Sequence, residues 1–314
     1  MNIIDVTLRD GGHAVDFNWD MSFVKNYYDL MSDLKDVTLI ELGYWGQTEK
    51  SVNPFYNLNM DTVLEVTQGR KKRNISVMVD YHYCSHDMKC YREIDLNIVR
   101  MIRVCSRKQD MEEAIKFCGR LKTEIGIDVS LNVFNITSYD SEELTNVCHK
   151  IKEFTYYLDM VYFADTHGKL NLIEGIDYIR NCIRILSVSG IEVGIHLHDH
   201  SGKAYSNYCQ AKSLGFISTD TSVRGMGKGS GNLKLEHIIC EEDLPKLAEF
   251  INQNGDLLRM TPSPYELITA VYGVTDIYAT HAEKLGLGME EFANVCSKME
   301  GQNKDVFNKD MLNV

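Results

Sequence analysis

The chain has 314 residues, of which 44% are hydrophobic and 25% charged, and its formal net charge at pH 7 is −12. These values are typical of a globular protein with one large domain or two medium ones. The acidic balance argues against nucleic acid or an anionic membrane as the main partner. The nine cysteines are never spaced Cys-X-X-Cys, which favours a reducing compartment and predicts a cytoplasmic protein. No signal peptide is visible, and no apolar run approaches the roughly 20 residues of a membrane span.

Short apolar segments alternate with longer amphipathic segments along most of the chain. The predicted strands are residues 3–8, 37–42, 75–80, 98–104, 128–133, 160–164, 193–198 and 218–223, with helical patterns between them that include residues 23–34, 111–123, 141–154, 173–186 and 203–214. Beyond residue 240 the patterns are helical, at residues 242–252, 265–285 and 289–299. This order predicts an α/β fold, a (β/α)8 TIM barrel over residues 1–240 with a helical C-terminal extension over residues 241–314. A doubly wound open sheet is the alternative, but its Gly-rich first turn is absent.

Two histidines separated by one residue, His196 and His198, end the seventh predicted strand. Residues i and i+2 of a strand point to the same face, so these two imidazoles are expected to meet, and a divalent cation would satisfy both. Structurally satisfied histidines are the alternative. Asp10 is the best candidate for a carboxylate ligand, and Asp165 is second, although its Asp-Thr-His-Gly setting also suits a helix cap. Asn232 could add a carbonyl oxygen. Such a mixed shell suits Mn²⁺, Mg²⁺, Zn²⁺ or Fe²⁺.

Polar side chains recur where the predicted strands end, which is where functional residues of TIM barrels gather. Capped helices and plain turns would explain any one of them. The glycines at positions 225, 227, 229 and 231 alternate and match neither dinucleotide nor P-loop spacing; they predict a lid, an anion contact or a mobile loop. The residues expected to contact substrate at these strand ends are Glu41, Tyr44, Arg103, Asp165 and Gly229.

Three motifs occur in a fixed order along the chain: Asp-Val-Thr-Leu-Arg-Asp-Gly at residues 5–11, the histidine pair, and Gly-Met-Gly-Lys-Gly-Ser-Gly-Asn at residues 225–232, followed by Glu236. Together they resemble the HMG-CoA lyase-like superfamily of metal-dependent TIM-barrel lyases and aldolases, the DRE-TIM metallolyases. The resemblance implies a divalent metal, Mn²⁺ or Mg²⁺ before Zn²⁺, on Asp10, His196 and His198, with Asn232 as a further ligand.

Residue 13 separates the branches of this superfamily. The CoA-dependent branches read Arg-Asp-Gly-X-Gln, whereas this chain has His13 and in that respect is similar to the 4-hydroxy-2-oxovalerate aldolase branch. The resemblance implies that Arg9 stabilises an enolate and that His13 is the acid/base acting on the substrate hydroxyl. The chain departs from that branch at Thr275, where the aldolases have a tyrosine.

These observations predict a class II, metal-dependent aldolase that makes or cleaves a carbon–carbon bond through a pyruvate-type enolate. A cation and a guanidinium would stabilise the negative charge that develops on oxygen. The expected partners are a small 2-oxo acid and an aldehyde, a second copy of the chain in a homo-oligomer, and an aldehyde dehydrogenase such as the resembling aldolases have. An acyl-CoA-dependent Claisen-type condensing enzyme and a non-catalytic barrel acting as a binding subunit are the alternatives. Trp19, Tyr44 and Trp45 either stack on a bulkier, sugar-like aldehyde or pack in the core.

Overall fold

The barrel strands follow one another in chain order. The computed structural model describes residues 1–49, 51–70, 72–174 and 176–312. Eight parallel strands form a closed barrel in which β1 also pairs with β8. This confirms the predicted (β/α)8 architecture and excludes the open sheet. The strands are β1 (Asn2–Asp5), β2 (Val37–Tyr44), β3 (Ile75–Asp80), β4 (Val99–Ser106), β5 (Asp128–Val133), β6 (Met160–Asp165), β7 (Glu192–Leu197) and β8 (Ser218–Thr221).

Helices pack around the barrel and continue beyond it. They are α1 (Met21–Asp33), α2 (Met60–Thr67), α3 (Met111–Arg120), α4 (Ser141–Lys152), α5 (Ile176–Val188), α6 (Ala204–Leu214), α7 (Leu244–Gln253), α8 (Pro264–Tyr272), α9 (Ile277–Leu285) and α10 (Met289–Ser297). Between β3 and β4 the chain forms a short 3-10 turn, Met88–Tyr91, in the place of an α-helix. Among the described residues, no helix combines the length and the apolar character that a membrane crossing requires.

The C-terminal helices have a hydrophobic core of their own, separate from the large core of the barrel. Leu247 of α7 and Leu258 belong to the large core of the barrel and its surrounding helices. Val274, Tyr278 and Phe292 belong to a second core formed by the C-terminal helices. Because α7 directly follows β8 and packs on the barrel, it is the last helix of the ring. We therefore propose a division near residue 260.

The helix expected over residues 265–285 is in fact two helices. α8 ends at Tyr272, and Gly273 follows with a φ of +65°, a left-handed conformation that stops the helix. The backbone N–H of Thr275 then donates to the carbonyl oxygen of Lys304. This break places Asp276 beside the barrel mouth, where its Oδ1 lies 2.7 Å from Nζ of Lys228.

Candidate metal centre and active site

Three of the predicted ligands meet at the C-terminal end of the barrel. His196 lies on β7, and His198 follows one residue after that strand ends, so both side chains point to the same face. Their Nε2 atoms are 3.2 Å apart. Oδ2 of Asp10, which follows β1, lies 3.8 Å from Nε2 of His196 and 4.0 Å from Nε2 of His198. All three side chains are buried, and their candidate ligand atoms lie within 4.8 Å of one another.

Hydrogen bonds on the far side of each imidazole define its tautomer. Nδ1 of His196 lies 2.9 Å from Oδ2 of Asp220, and Nδ1 of His198 lies 3.2 Å from the carbonyl oxygen of Gly231. A carboxylate and a carbonyl only accept, so both Nδ1 atoms carry a proton, and in the neutral form of either ring Nε2 is free to bind a cation. Burial lowers the pKa of His198 well below its usual range, which keeps that ring neutral. The two Nε2 atoms and Oδ2 of Asp10 therefore face one another as candidate ligands, an arrangement that fits a divalent cation.

The side chain of Asn232 lies against Asp10, and we keep it as a proposed further ligand. Its Nδ2 donates to Oδ2 of Asp10 and to the carbonyl oxygen of Met226. Its Oδ1 is buried and has no hydrogen-bond partner among the described residues. A Cβ on Gly227 would lie 2.3 Å from Nδ2 of Asn232 and 3.0 Å from Oδ2 of Asp10. The glycine segment can therefore pack this closely over the three ligands only because residue 227 has no side chain.

A chain of buried ion pairs lies beneath the ligands. Arg9 donates from Nη1 to Oδ1 of Asp10 at 2.7 Å and from Nε to Oε1 of Glu41 at 2.6 Å. Arg103 donates from Nη1 to Oε2 of Glu41 at 3.1 Å and from Nη2 to Oδ2 of Asp220 at 2.7 Å. Three carboxylates against two guanidinium groups leave one negative charge in excess. That excess lies beside the two imidazoles, which favours binding of a cation there.

The structure separates two of the predicted substrate contacts from the cavity. Glu41 and Arg103 are fully buried inside the barrel and do not line the cavity. Arg103 is held further by the ring of Tyr162, whose centroid lies 4.3 Å from the guanidinium carbon. We therefore propose that both residues position neighbouring side chains and do not contact substrate directly.

Asp165 and Gly229 also lie outside the main cavity lining. Oδ1 of Asp165 accepts hydrogen bonds from the backbone N–H groups of Lys169 and Leu170 in the turn after β6, so the carboxylate holds a turn and does not cap a helix. Burial raises the pKa of Asp165 to about 7, and Asp165 is absent from the Asp-His-His cluster. Gly229 lines two further recesses beside the cavity together with Lys228.

A cavity of about 170 Å³ opens beside the three candidate ligands. Arg9 lines it, and Nη2 of this guanidinium has no hydrogen-bond partner among the described residues. His13 and Tyr44 line the same wall, with Nε2 of His13 3.1 Å from the Tyr44 hydroxyl. Burial, together with the nearby Lys228 ammonium, lowers the pKa of His13 to about 4. His13 is therefore neutral at pH 7 and able to accept a proton.

Several cavity residues were missed at the sequence level. The cavity is also lined by Gln47, Tyr56, Met78, Asp80, Tyr83, Cys105, Arg107, Asn132, Phe134, Ala164, Thr166, Lys228 and Ile277. Many of these directly follow strands, so the position rule that selected Tyr44 could have selected them as well. Asp220, an aspartate in the middle of β8, carried a similar signal.

The two tryptophans are packing residues. Trp19 is buried, donates from Nε1 to the carbonyl oxygen of Leu8, and stacks on Phe23. Trp45 is 2% exposed and donates from Nε1 to the carbonyl oxygen of Cys90. Of the three aromatic residues considered for aldehyde stacking, Tyr44 alone lines the cavity.

Most of the chain matches a family of known proteins. The model of the HMGL-like family matches residues 1–257. The chain belongs to the HMGL-like family. It is 23% identical over 303 residues to a 4-hydroxy-2-oxovalerate aldolase of Geobacillus genomosp. 3. The aligned region covers 91% of this chain and 87% of that relative.

Two further similarities agree with this family. The chain is 20% identical over 325 residues to an oxaloacetate decarboxylase of Mycobacterium tuberculosis, with 94% of this chain and 90% of the relative covered. Its fold is similar to that of the N-terminal domain of a proposed aldolase from Bacteroides vulgatus, with a TM-score of 0.75 and 19% identity over 94% of this chain and 99% of that one. The family and its named relatives identify the chain as an enzyme of the carbon–carbon lyase class.

Proposed function

We propose that this enzyme is a class II aldolase that interconverts a 4-hydroxy-2-oxo acid with pyruvate and an aldehyde. The observation that carries the proposal is the cluster of three candidate ligand atoms on Asp10, His196 and His198, which lies beside the unpaired Nη2 of Arg9 and the neutral imidazole of His13. A divalent cation held by these ligands, Mn²⁺ or Mg²⁺ before Zn²⁺, would supply Lewis acidity towards the oxygens of a 2-oxo acid.

Arg9 is placed to stabilise the enolate. Its Nε and Nη1 are held by Glu41 and Asp10, so the guanidinium plane is fixed before substrate arrives. The remaining Nη2 can donate to an oxygen that gains negative charge as pyruvate loses a C3 proton. A donor fixed in advance inside a buried site stabilises such a charge more than one that must reorient.

His13 is placed to move the hydroxyl proton. In cleavage, Nε2 of His13 accepts the proton of the 4-hydroxyl, the C3–C4 bond breaks, and its electron pair passes into the pyruvate enolate as the aldehyde carbonyl forms. Protonation of C3 then gives pyruvate, and condensation is the reverse sequence. The Tyr44 hydroxyl, 3.1 Å from Nε2 of His13, orients the ring in the absence of substrate.

Exchange of deuterium into the methyl group of pyruvate tests the donor half-reaction. The Mn²⁺-loaded enzyme is expected to exchange these protons, as followed by NMR, and to lose the exchange on chelation. His196→Ala is expected to lose bound metal and exchange together, whereas His149→Ala, which alters an exposed histidine of α4, keeps both. Stoichiometric metal in folded His196→Ala would contradict the ligand assignment.

Cleavage of a 4-hydroxy-2-oxo acid tests the proton transfer. His13→Ala is expected to retain bound metal and to cleave the substrate about a hundredfold more slowly, or slower still, because a positioned acid/base is lost. The acyl-CoA-dependent alternative is tested in parallel with acetyl-CoA and a 2-oxo acid. Release of free thiol by the wild-type enzyme, without pyruvate exchange, would favour that alternative over the aldolase.

A further inference from the structure

We infer that the aldehyde taken by this site is a neutral, hydroxylated one, of the kind that short sugars provide, rather than an aliphatic or a phosphorylated one. The inference rests on the proposed aldolase function and concerns the half of the cavity that faces away from the candidate metal ligands.

The closed barrel places that half opposite the ligands. In an eight-stranded barrel each strand lies across from the strand four positions away, so β3, β4 and β5 face β7, β8 and β1. The candidate metal ligands follow β1 and lie at the end of β7, whereas Tyr83, Arg107 and Asn132 follow or end β3, β4 and β5. With the 2-oxo acid held beside the ligands, the substituent of the aldehyde extends towards this opposite wall.

Uncharged hydrogen-bonding groups without protein partners line that wall. Gln47 follows β2 and borders this wall, because it forms a β-bridge with Cys84 after β3. Its Oε1 atom is buried and has no partner among the described residues, although the side chain lines the cavity. Asn132 is 3% exposed and accepts a hydrogen bond from Ser130 at Oδ1, while its Nδ2 donates to no described atom. Tyr83 lies at the outer edge of the cavity and is 37% exposed, and its hydroxyl contacts no described protein atom. Hydroxyl groups of a ligand both donate and accept, and they match such a set of amide and phenol groups.

The charged groups of the cavity wall are already neutralised. Arg107 donates from Nη1 and Nη2 to the two carboxylate oxygens of Asp80, at 2.7 and 3.2 Å. The ammonium of Lys228 is paired with Asp276 at 2.7 Å. Nε of Arg107 has no partner among the described residues, but the positive charges of Arg107 and Lys228 are already balanced by Asp80 and Asp276. A phosphate or carboxylate on the aldehyde would add a negative charge that no free cation of this wall offsets, which disfavours its binding.

An aliphatic aldehyde would leave these groups without partners. Sites built to hydrogen-bond a substrate hydroxyl discriminate strongly against the analogue that lacks it, since the buried polar groups of the protein then stay unpaired. Phe134 also lines the cavity, and its ring adds apolar surface against which the C–H groups of a hydroxylated chain can pack.

Condensation of pyruvate with three aldehydes of the same carbon skeleton tests the inference. The Mn²⁺-loaded enzyme is assayed with glyceraldehyde, propanal and glyceraldehyde 3-phosphate, and products are measured by mass spectrometry. We expect kcat/KM for glyceraldehyde to exceed that for each of the other two at least about tenfold. A preference for propanal or for the phosphorylated aldehyde would overturn the inference.

Two variants test whether side chains of this wall cause the preference for a hydroxylated aldehyde. Gln47→Leu and, as a milder change, Tyr83→Phe are expected to lower the glyceraldehyde-to-propanal ratio about tenfold. The matched controls Gln253→Leu and Tyr156→Phe alter exposed side chains and are expected to keep the wild-type ratio. A wild-type ratio in both folded wall variants would overturn the inference.

Deuterium exchange into pyruvate distinguishes failure of the aldehyde assignment from failure of the proposed function. Exchange without condensation of any aldehyde, or with preference for an aldehyde of another class, would refute the aldehyde assignment and leave the donor chemistry standing. Absence of metal-dependent exchange would refute the proposed function and the aldehyde assignment with it.

Discussion

Nδ1 of His196 donates to Oδ2 of Asp220 at 2.9 Å, and the same oxygen accepts from Nη2 of Arg103 at 2.7 Å. Although burial raises the pKa of Asp220, Arg103 and His196 together lower it below its usual range, so the carboxylate stays ionised. The contact fixes the tautomer of His196 and makes its Nε2 a better electron-pair donor. Asp220 is therefore a positioning residue for the candidate metal centre.

Asp220→Asn is expected to weaken Mn²⁺ binding by about ten- to a hundredfold, the usual effect of removing such an outer contact to a metal ligand. Binding is measured by isothermal titration calorimetry on samples whose folding is checked by circular dichroism. Asp177→Asn, which alters an aspartate whose side chain is 91% exposed, is the matched control. Wild-type affinity in folded Asp220→Asn would show that the contact does not support the metal.

Arg9→Lys is expected to slow deuterium exchange into pyruvate by about a hundredfold or more. Lysine keeps the positive charge but cannot contact Asp10 and Glu41 and still present a third donor to substrate, as the guanidinium does. NMR of the pyruvate methyl group gives the rate, with metal content measured on the same sample. Near-normal exchange would mean that charge alone is sufficient at this position.

Gly227→Ala is expected to reduce metal binding at least about tenfold, because the new Cβ would approach Asn232 to 2.3 Å and Asp10 to 3.0 Å, and these side chains must then move. Gly288→Ala is the matched control, since nothing lies within 4 Å of the added atom and the backbone φ there is −66°. Calorimetric titration with Mn²⁺ compares the two. Equal affinities would place Asn232 and the glycine segment outside the metal centre.

Asp5→Asn is expected to remove part of the pH dependence of stability. Burial raises the pKa of Asp5 to about 7, although its oxygens accept hydrogen bonds from Thr7 and Tyr27. The folded state therefore binds more protons than the unfolded state between about pH 4 and pH 7, and this group lowers the free energy of unfolding as pH rises through that window. The loss from Asp5 is on the order of 2–4 kcal/mol and is complete above pH 7.

Urea unfolding at pH 5, 6, 7 and 8 measures this effect. The difference between the wild-type and Asp5→Asn free energies of unfolding isolates Asp5 from the other titrating groups. Asp5→Asn is expected to gain stability relative to the wild type as pH rises from 5 to 8. A difference that stays constant over this range would contradict the prediction.

The strand pattern and the histidine pair could be predicted because each depends on local periodicity. Apolar runs predict strands, and i, i+2 spacing places His196 and His198 on one face. Asp10 could be selected because it directly follows the first strand. The partners of Arg103 could not be predicted, since its contacts with Glu41 and Asp220 span 62 and 117 residues and depend on how far each strand is shifted in the barrel.

The break at Gly273 was missed for a related reason. A glycine within an apolar helical period is tolerated or ends the helix according to the tertiary packing around it. Here the N–H of Thr275 bonds to Lys304 and the second core begins at Val274, which are contacts that no local pattern reveals. The same packing brings Asp276 to Lys228 and so joins the C-terminal helices to the barrel mouth.

The ion pairs and the candidate metal ligands together come from both halves of the barrel. Strands β1 to β4 and their loops supply Asp10, Arg9, Glu41 and Arg103, whereas β7, β8 and the loops that follow supply His196, His198, Asp220 and Asn232. A half-barrel fragment would therefore carry unmatched buried charges and an incomplete ligand set. During refolding, a divalent ion would therefore bind only once β8 pairs with β1. Two fragments obtained by cutting the chain between β4 and β5 should bind the ion only after they reassociate.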